Sequence, residues 1–255
     1  MKILFLGTSA GWPLPRLGCR CQICQSKDPK DKRWRPAVLV NDSVLIDAPP
    51  DIYHQLLKVN HLAPKIKALV LTHAHPDHLL GFYDLGHLYQ REQKQIKLIT
   101  TREVLNGLKQ SSRYPLHPFI PEIVVANEVI QIDNLKVAFL SVHHNHTPTY
   151  AVKMKERKIF IYLPDLKRLP KNERKQFKEA HLLVLDGSSL GTKGQTRTHQ
   201  SIEEGIRLGK ELKVKHCYFT HIGHLTGPHQ ELEKFVQKHG GSNFHIAWDG
   251  LELEI

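Results

Sequence analysis

Thr72–His78 reads THAHPDH and follows directly on the apolar run ALVL, Ala68–Leu71. His73, His75, Asp77 and His78 all fall within the six residues 73–78. Imidazole nitrogens and carboxylate oxygens suit Zn, Mn or Fe, and close spacing lets one loop present several of them without a long conformational search. One ion needs only some of these four side chains, whereas two ions about 3.5 to 4 Å apart would use them all. The competing reading is a polar turn with surface histidines. Position speaks against it, because the stretch begins where an apolar strand ends, and α/β folds build their sites at such strand ends.

The same coincidence recurs along the chain. Asp47 follows SVLI, His143 and His144 follow VAFLSV, Asp165 follows KIFIYLP, Asp186 closes LLVLD, and His221 follows HCYFT. Further short runs rich in Val, Ile and Leu, namely KILFLG, AVLVN, IKLITT, EIVVAN, TYAVKM and FHIAWDG, are also expected strands. Helical spacing appears at Ile52 to Val59, Ile202 to Leu212 and Gln230 to Lys238. The expectation is an α/β chain of sheets covered by helices, continuous over residues 1–255, without a linker or short repeat. Composition is that of a soluble globule, 40% hydrophobic and 24% charged, and no apolar run reaches membrane-spanning length. MKILFLGTSAGW is too short in apolar residues for a signal h-region, so a cytoplasmic location is expected. The net charge of +11 favours anionic partners, although the positive residues are dispersed and equally serve solubility.

H-x-H-x-D-H after an apolar strand resembles the signature of the metallo-β-lactamase fold. The similarity runs nearly end to end through LFLGT, LIDAP, THAHPDH, YLPD, LVLD, FTHIGH and WDGLEL. GCRCQIC (Gly18–Cys24) together with FTHIGH resembles the PhnP-like and PqqB-like branch of that superfamily. The resemblance implies an αββα sandwich of two mixed sheets flanked by helices, with a two-metal site at the edge between them. It places His73, His75 and His144 on one ion, Asp77, His78 and His221 on the other, and Asp165 across both. It makes Asp47 the carboxylate that orients a ligand imidazole, and it assigns Asp77 and His199 catalytic parts. His146 is the next candidate for the His144 position, and His143 also lies in that stretch. His199 is equally readable as a solvent-facing residue ahead of a helix that Thr198 or Ser201 could cap.

The cysteine cluster needs its own account. Cys19, Cys21 and Cys24 crowd into six positions and the only other cysteine is Cys217, so pairing into disulfides cannot satisfy them. A reactive thiol, a metal knuckle and coincidence remain open, and His224, three residues after His221, would complete a Cys3His structural zinc set. Expected ligands are therefore two divalent ions, Zn or Mn with Fe, Co or Ni as alternatives, plus one structural zinc. The expected reaction is hydrolysis of a small cyclic or nucleotide-like phosphodiester. Lys167, Arg168, Lys193 and Arg197 could attract its phosphate, and Trp12 offers an apolar wall to a base or ring. A tRNase Z-like nuclease is the alternative enzyme, although no Gly-Pro-rich arm or basic stripe supports nucleic acid as the favoured partner. A PqqB-like protein that binds or carries a small cofactor is the alternative of a different class. No membrane partner is expected, and a homodimer stays open.

Overall fold

The computed structural model describes residues 1–112, 116–191 and 197–255, so Lys193 lies outside the described residues. The strands are β1 (Lys2–Gly7), β2 (Ala37–Val40), β3 (Val44–Ile46), β4 (Ala68–Val70), β5 (Ile96–Thr100), β6 (Phe119–Ile123), β7 (Val129–Ile132), β8 (Leu135–Val142), β9 (Thr149–Lys155), β10 (Ile159–Leu163), β11 (Leu182–Asp186), β12 (His216–Thr220), β13 (Phe244–Ile246) and β14 (Glu252–Glu254). They form two sheets, ordered β14-β1-β2-β3-β4-β5-β6 and β13-β12-β11-β10-β9-β8-β7. Each sheet is mixed: β3 to β6 run parallel, as do β10 to β13, while the remaining neighbours are antiparallel. The αββα expectation holds, and the parallel halves bring the carboxyl ends of several strands to one edge.

Side-chain alternation shows why the second sheet must be covered on both faces. Phe160, Tyr162, Leu182 and Val184 point into the core shared with the first sheet. Their neighbours Ile161, Leu163, Leu183 and Leu185 face a second core closed by helices Ile202–Glu211 and His229–Gly240. A strand buried on both faces reads as a continuous apolar run, as LLVL does. Ser201 caps the first of these helices, with a reciprocal bond from its own N–H to Glu204. None of the described helices is long and apolar enough to cross a membrane.

Two strands lie outside the expected runs, and one is displaced. β7 (Val129–Ile132) and β14 (Glu252–Glu254) are edge strands with mostly exposed or half-buried residues, so their apolar signal is weak. β6 begins at Phe119 and ends at Ile123, so most of EIVVAN, including Val125, lies beyond it, and Val125 is exposed. Helices Phe82–Arg91 and Arg102–Ser111 also form on the first-sheet side, burying Phe82, Leu85, Val104, Leu105 and Leu108.

Arg33, 1% exposed, joins the N-terminal and C-terminal segments. Its Nη1 donates to Thr8 Oγ1 at 2.7 Å and to the Ala247 carbonyl at 2.5 Å, and its Nη2 donates to His229 Nδ1 at 3.2 Å. Asp31 Oδ1 accepts from the His229 backbone N–H at 2.8 Å. Burial first, and Arg33 second, push the His229 imidazole down to about 4. The folded chain thus favours neutral His229 more than the unfolded chain does. That contribution is complete above about pH 6.5 and is lost as pH falls toward 4. A shift of this size corresponds to about 3 kcal/mol. Denaturant unfolding of the wild type and His229→Asn, which keeps an acceptor but does not titrate, checks it. The stability difference between them should fall by about 3 kcal/mol from pH 7 to pH 4, and a pH-independent difference would contradict the assignment.

Candidate metal centre

The site forms where the two sheets meet at the carboxyl ends of their strands. β4 delivers His73 and His75, and Pro76 opens the short helix Pro76–Leu79 that carries Asp77 and His78. His144 lies two residues beyond β8, Asp165 two beyond β10, and His221 one beyond β12. Asp47 and His221 adopt left-handed backbone conformations, with φ of 63° and 58°. Such values are uncommon for residues other than glycine, and the strain turns each side chain off its strand into the edge. Gly223 follows because a Cβ there would collide with the Ser188 carbonyl.

The hydrogen-bond network fixes the tautomers of four imidazoles. Asp47 Oδ2 accepts from His78 Nδ1 at 2.7 Å, so the neutral His78 ring, the form a metal would bind, carries its lone pair on Nε2. Thr72 gives its hydroxyl proton to Asp47 and accepts from His73 Nδ1 at 2.9 Å, with the same result for His73. His144 Nδ1 donates to the Thr198 carbonyl at 2.7 Å. Ser188 Oγ donates to Asp186 Oδ1 and accepts from His221 Nδ1 at 2.7 Å. In the neutral form of all four rings Nε2 is therefore the bare nitrogen, and all four turn it toward Asp165 and its neighbours.

Ligand-capable atoms of His73, His75, His144 and Asp165 lie within 4.8 Å of one another, as do those of Asp77, His78 and His221. Asp165 sits between the groups, with Oδ2 at 2.9 Å from His78 Nε2 and Oδ1 at 3.4 Å from His144 Nε2 and 3.5 Å from His221 Nε2. His144 is the histidine of its stretch that enters the cluster, while His143 and His146 are exposed. Burial pushes His73, His75 and His144 below the ordinary histidine value. Burial alone would raise Asp165, but His221, His78 and His73 hold it well below the usual carboxylate range.

These residues fit divalent metal. His73 Nε2 and His144 Nε2, both with lone pairs, crowd His75 Nδ1 at 3.0 and 3.3 Å. His78 Nε2, His221 Nε2 and Asp165 Oδ2 are buried without a hydrogen-bond partner. Lone pairs and ionised oxygens converging without donors are a costly arrangement unless a cation lies among them.

His199 stands at the flank. Its Nδ1 donates to Asp186 Oδ2 at 2.6 Å, and its Nδ1 is 3.7 Å from Asp165 Oδ1. Burial would lower it, but the adjacent Asp186 raises it to about 9. Asp186 was readable in the sequence only as a structural or supporting carboxylate. Ser188, Thr147 and the Thr198 carbonyl, which hold His221, His75 and His144, carry no sequence signal beyond nearness to strand ends.

The thiols of Cys19, Cys21 and Cys24 also cluster, with sulfurs within 4.8 Å of one another. His224 differs from its expected place. Its ring nitrogens lie 3.1 and 3.3 Å from Arg16 Nη1, and it is the His224 carbonyl that sits 3.5 Å from Cys21 Sγ. The guanidinium, anchored in the same loop, takes the ring that the spacing had assigned to the thiols.

A family model described as a β-lactamase superfamily domain matches residues 42–222. A solved diphosphatase of the PhnP family is 29% identical, with a TM-score of 0.88, covering 100% of this chain and 97% of that one. Zn2+-bound PqqB from Methylobacterium extorquens shares the fold at 21% identity and a TM-score of 0.82, with 100% of both chains covered. An octanoyltransferase of Porphyromonas gingivalis is 29% identical over 265 residues and covers 100% of this chain, which spans 52% of that protein's length. On the family match over most of its length and the shared two-sheet architecture, the chain belongs to the β-lactamase superfamily and carries the metallo-β-lactamase fold.

Proposed function

We propose that the chain is a dinuclear metal-dependent phosphodiesterase acting on a small cyclic or nucleotide-like phosphodiester. The observation that carries this reading is the pairing of a complete His/Asp cluster with an Asp186-held His199 on its flank. In this reading His73, His75 and His144 hold one ion, Asp77, His78 and His221 the other, and Asp165 both. Divalent ions so held supply Lewis acidity and a nucleophile at neutral pH.

The chain's own residues then divide the proton work. Asp77 is the more open carboxylate of the cluster, and burial notwithstanding, His78 and His221 hold it below the usual carboxylate range. In this reading it would orient an attacking water by accepting a hydrogen bond, since a carboxylate held so acidic is a weak base. His199 lines the cleft, and Asp186 pushes its imidazole up toward the protonated form that an acid role needs. Asp186 engages its Nδ1, so a proton handed to the leaving alkoxide comes from Nε2. Asp47 and Ser188 orient His78 and His221, and a tilt in either ring would misplace two atoms at once. The diphosphatase relative of the PhnP family supports phosphoryl chemistry, and the complete cluster favours hydrolysis over a carrier role. Cys19, Cys21 and Cys24 would hold a separate structural zinc.

Three outcomes are expected. Asp165→Ala should lower diester hydrolysis at least about a thousandfold and lose metal by elemental analysis; full rate in that variant would end the proposal. His199→Ala should lower kcat about a hundredfold or more for an alkyl leaving group, but much less for p-nitrophenolate, which leaves without a proton. Equal losses for the two leaving groups would remove His199 from the acid role. Cys21→Ser should release one metal equivalent per chain and lower thermal stability, whereas unchanged stoichiometry would refute the thiol-bound zinc.

A further inference from the structure

Trp12 is 59% exposed and directly follows Gly11, which lines the cleft, and the loop carrying it is firmly held. Ala10 N–H donates to the Ile222 carbonyl at 3.0 Å, and the Gly11 carbonyl accepts from Arg35 Nε at 2.9 Å. Ser9 Oγ donates to the Trp12 carbonyl at 2.5 Å, and Leu14 and Arg33 exchange backbone bonds at 2.8 and 2.9 Å. The ring is presented to solvent by a fixed backbone. Gly11, its neighbour, lines the cleft and approaches Asp77 so closely that a Cβ there would stand 3.2 Å from Oδ2.

Arg16 covers the Trp12 ring, with its guanidinium carbon 5.4 Å from the ring centroid. The same guanidinium lies against the His224 ring, and among the described residues it pairs with no carboxylate. His224 and Leu225 continue the wall into a cleft of about 490 Å3 that also holds Asp165, His199 and His221. The exposed indole thus meets a planar cation, which in turn meets the cleft-lining His224 imidazole. Aromatic and guanidinium planes are the surfaces on which flat bases stack.

We propose that Trp12 and Arg16 form a stacking subsite for a planar nucleobase carried by the substrate beyond its scissile phosphate. This rests on the phosphodiesterase reading of the cleft and narrows the substrate to a nucleoside phosphoester. A base stacked there contributes equally to the ground and transition states, so its loss appears in KM with kcat retained. Stacking of one base on an aromatic side chain is worth about five- to a hundredfold in affinity.

Binding to the full chain is measured by calorimetry with AMP and ribose 5-phosphate, alongside hydrolysis of adenosine 2′,3′-cyclic phosphate and its methyl riboside counterpart. Wild type should bind AMP at least about fivefold more tightly than ribose 5-phosphate and show a similarly lower KM for the adenosine diester. Trp12→Ala should bring both ratios to near one through the adenosine ligand, Trp12→Phe should keep most of them, and Arg16→Ala should reduce them. Equal affinities in wild type, no AMP binding up to millimolar concentration, or a preference that survives Trp12→Ala would each overturn the subsite. If neither diester is cleaved, the phosphodiesterase reading fails, and the AMP to ribose 5-phosphate ratio still decides the subsite on its own.

Discussion

Asp165 is 1% exposed and ionised, and four imidazoles, those of His78, His144, His221 and His199, stand 2.9 to 3.7 Å from its oxygens. A carboxylate cannot stay charged at that depth without positive charge around it, and the lone pairs of His78, His144 and His221 that face it leave that charge to a cation held among them. Of those partners, His78 comes from the first sheet and the others from elements of the second. The carboxylate therefore requires that both sheets end at a common edge, and the parallel order of β3 to β6 and β10 to β13 meets that requirement. Helices on the outer faces and the apolar core between the sheets keep that edge in register.

The two sheets supply matching supports. At the end of β3, Asp47 uses Thr72 as a neighbour and fixes His78; at the end of β11, Asp186 uses Ser188 and fixes His221 and His199. In each half a residue of the site next to a strand end, Asp47 in one and His221 in the other, holds a left-handed backbone. Buried polar groups gather at the site, and the apolar strands behind them bear the cost. The N-terminal loop closes the third side, tied to Ile222 through backbone bonds and to the C-terminal segment through Arg33.

Much of this is legible in residue order alone. Apolar runs ending in His or Asp mark β4, β8, β10, β11 and β12, because a covered strand is mostly apolar and its polar residues collect at or just beyond its end. THAHPDH announces a metal site because four donors in six residues have few other uses. Edge strands β7 and β14 escape notice, since half-exposed residues carry little apolar contrast. Ser188, Thr147 and Thr198 escape for another reason: hydroxyls and carbonyls occur everywhere, and only the imidazole each one meets gives it meaning.

Residue types and spacing by themselves marked THAHPDH as a metal-binding stretch and the strand ends that carry His or Asp, because periodicity and ligand chemistry are local properties of the chain, while the superfamily entered through resemblance of whole motifs. The tertiary structure alone decided which of His143, His144 and His146 turns inward, that Asp186 serves His199, and that the His224 ring lies against Arg16 instead of the thiols. Those choices depend on distances between residues up to 208 positions apart in sequence. Packing of the two sheets, and no local preference, sets such distances.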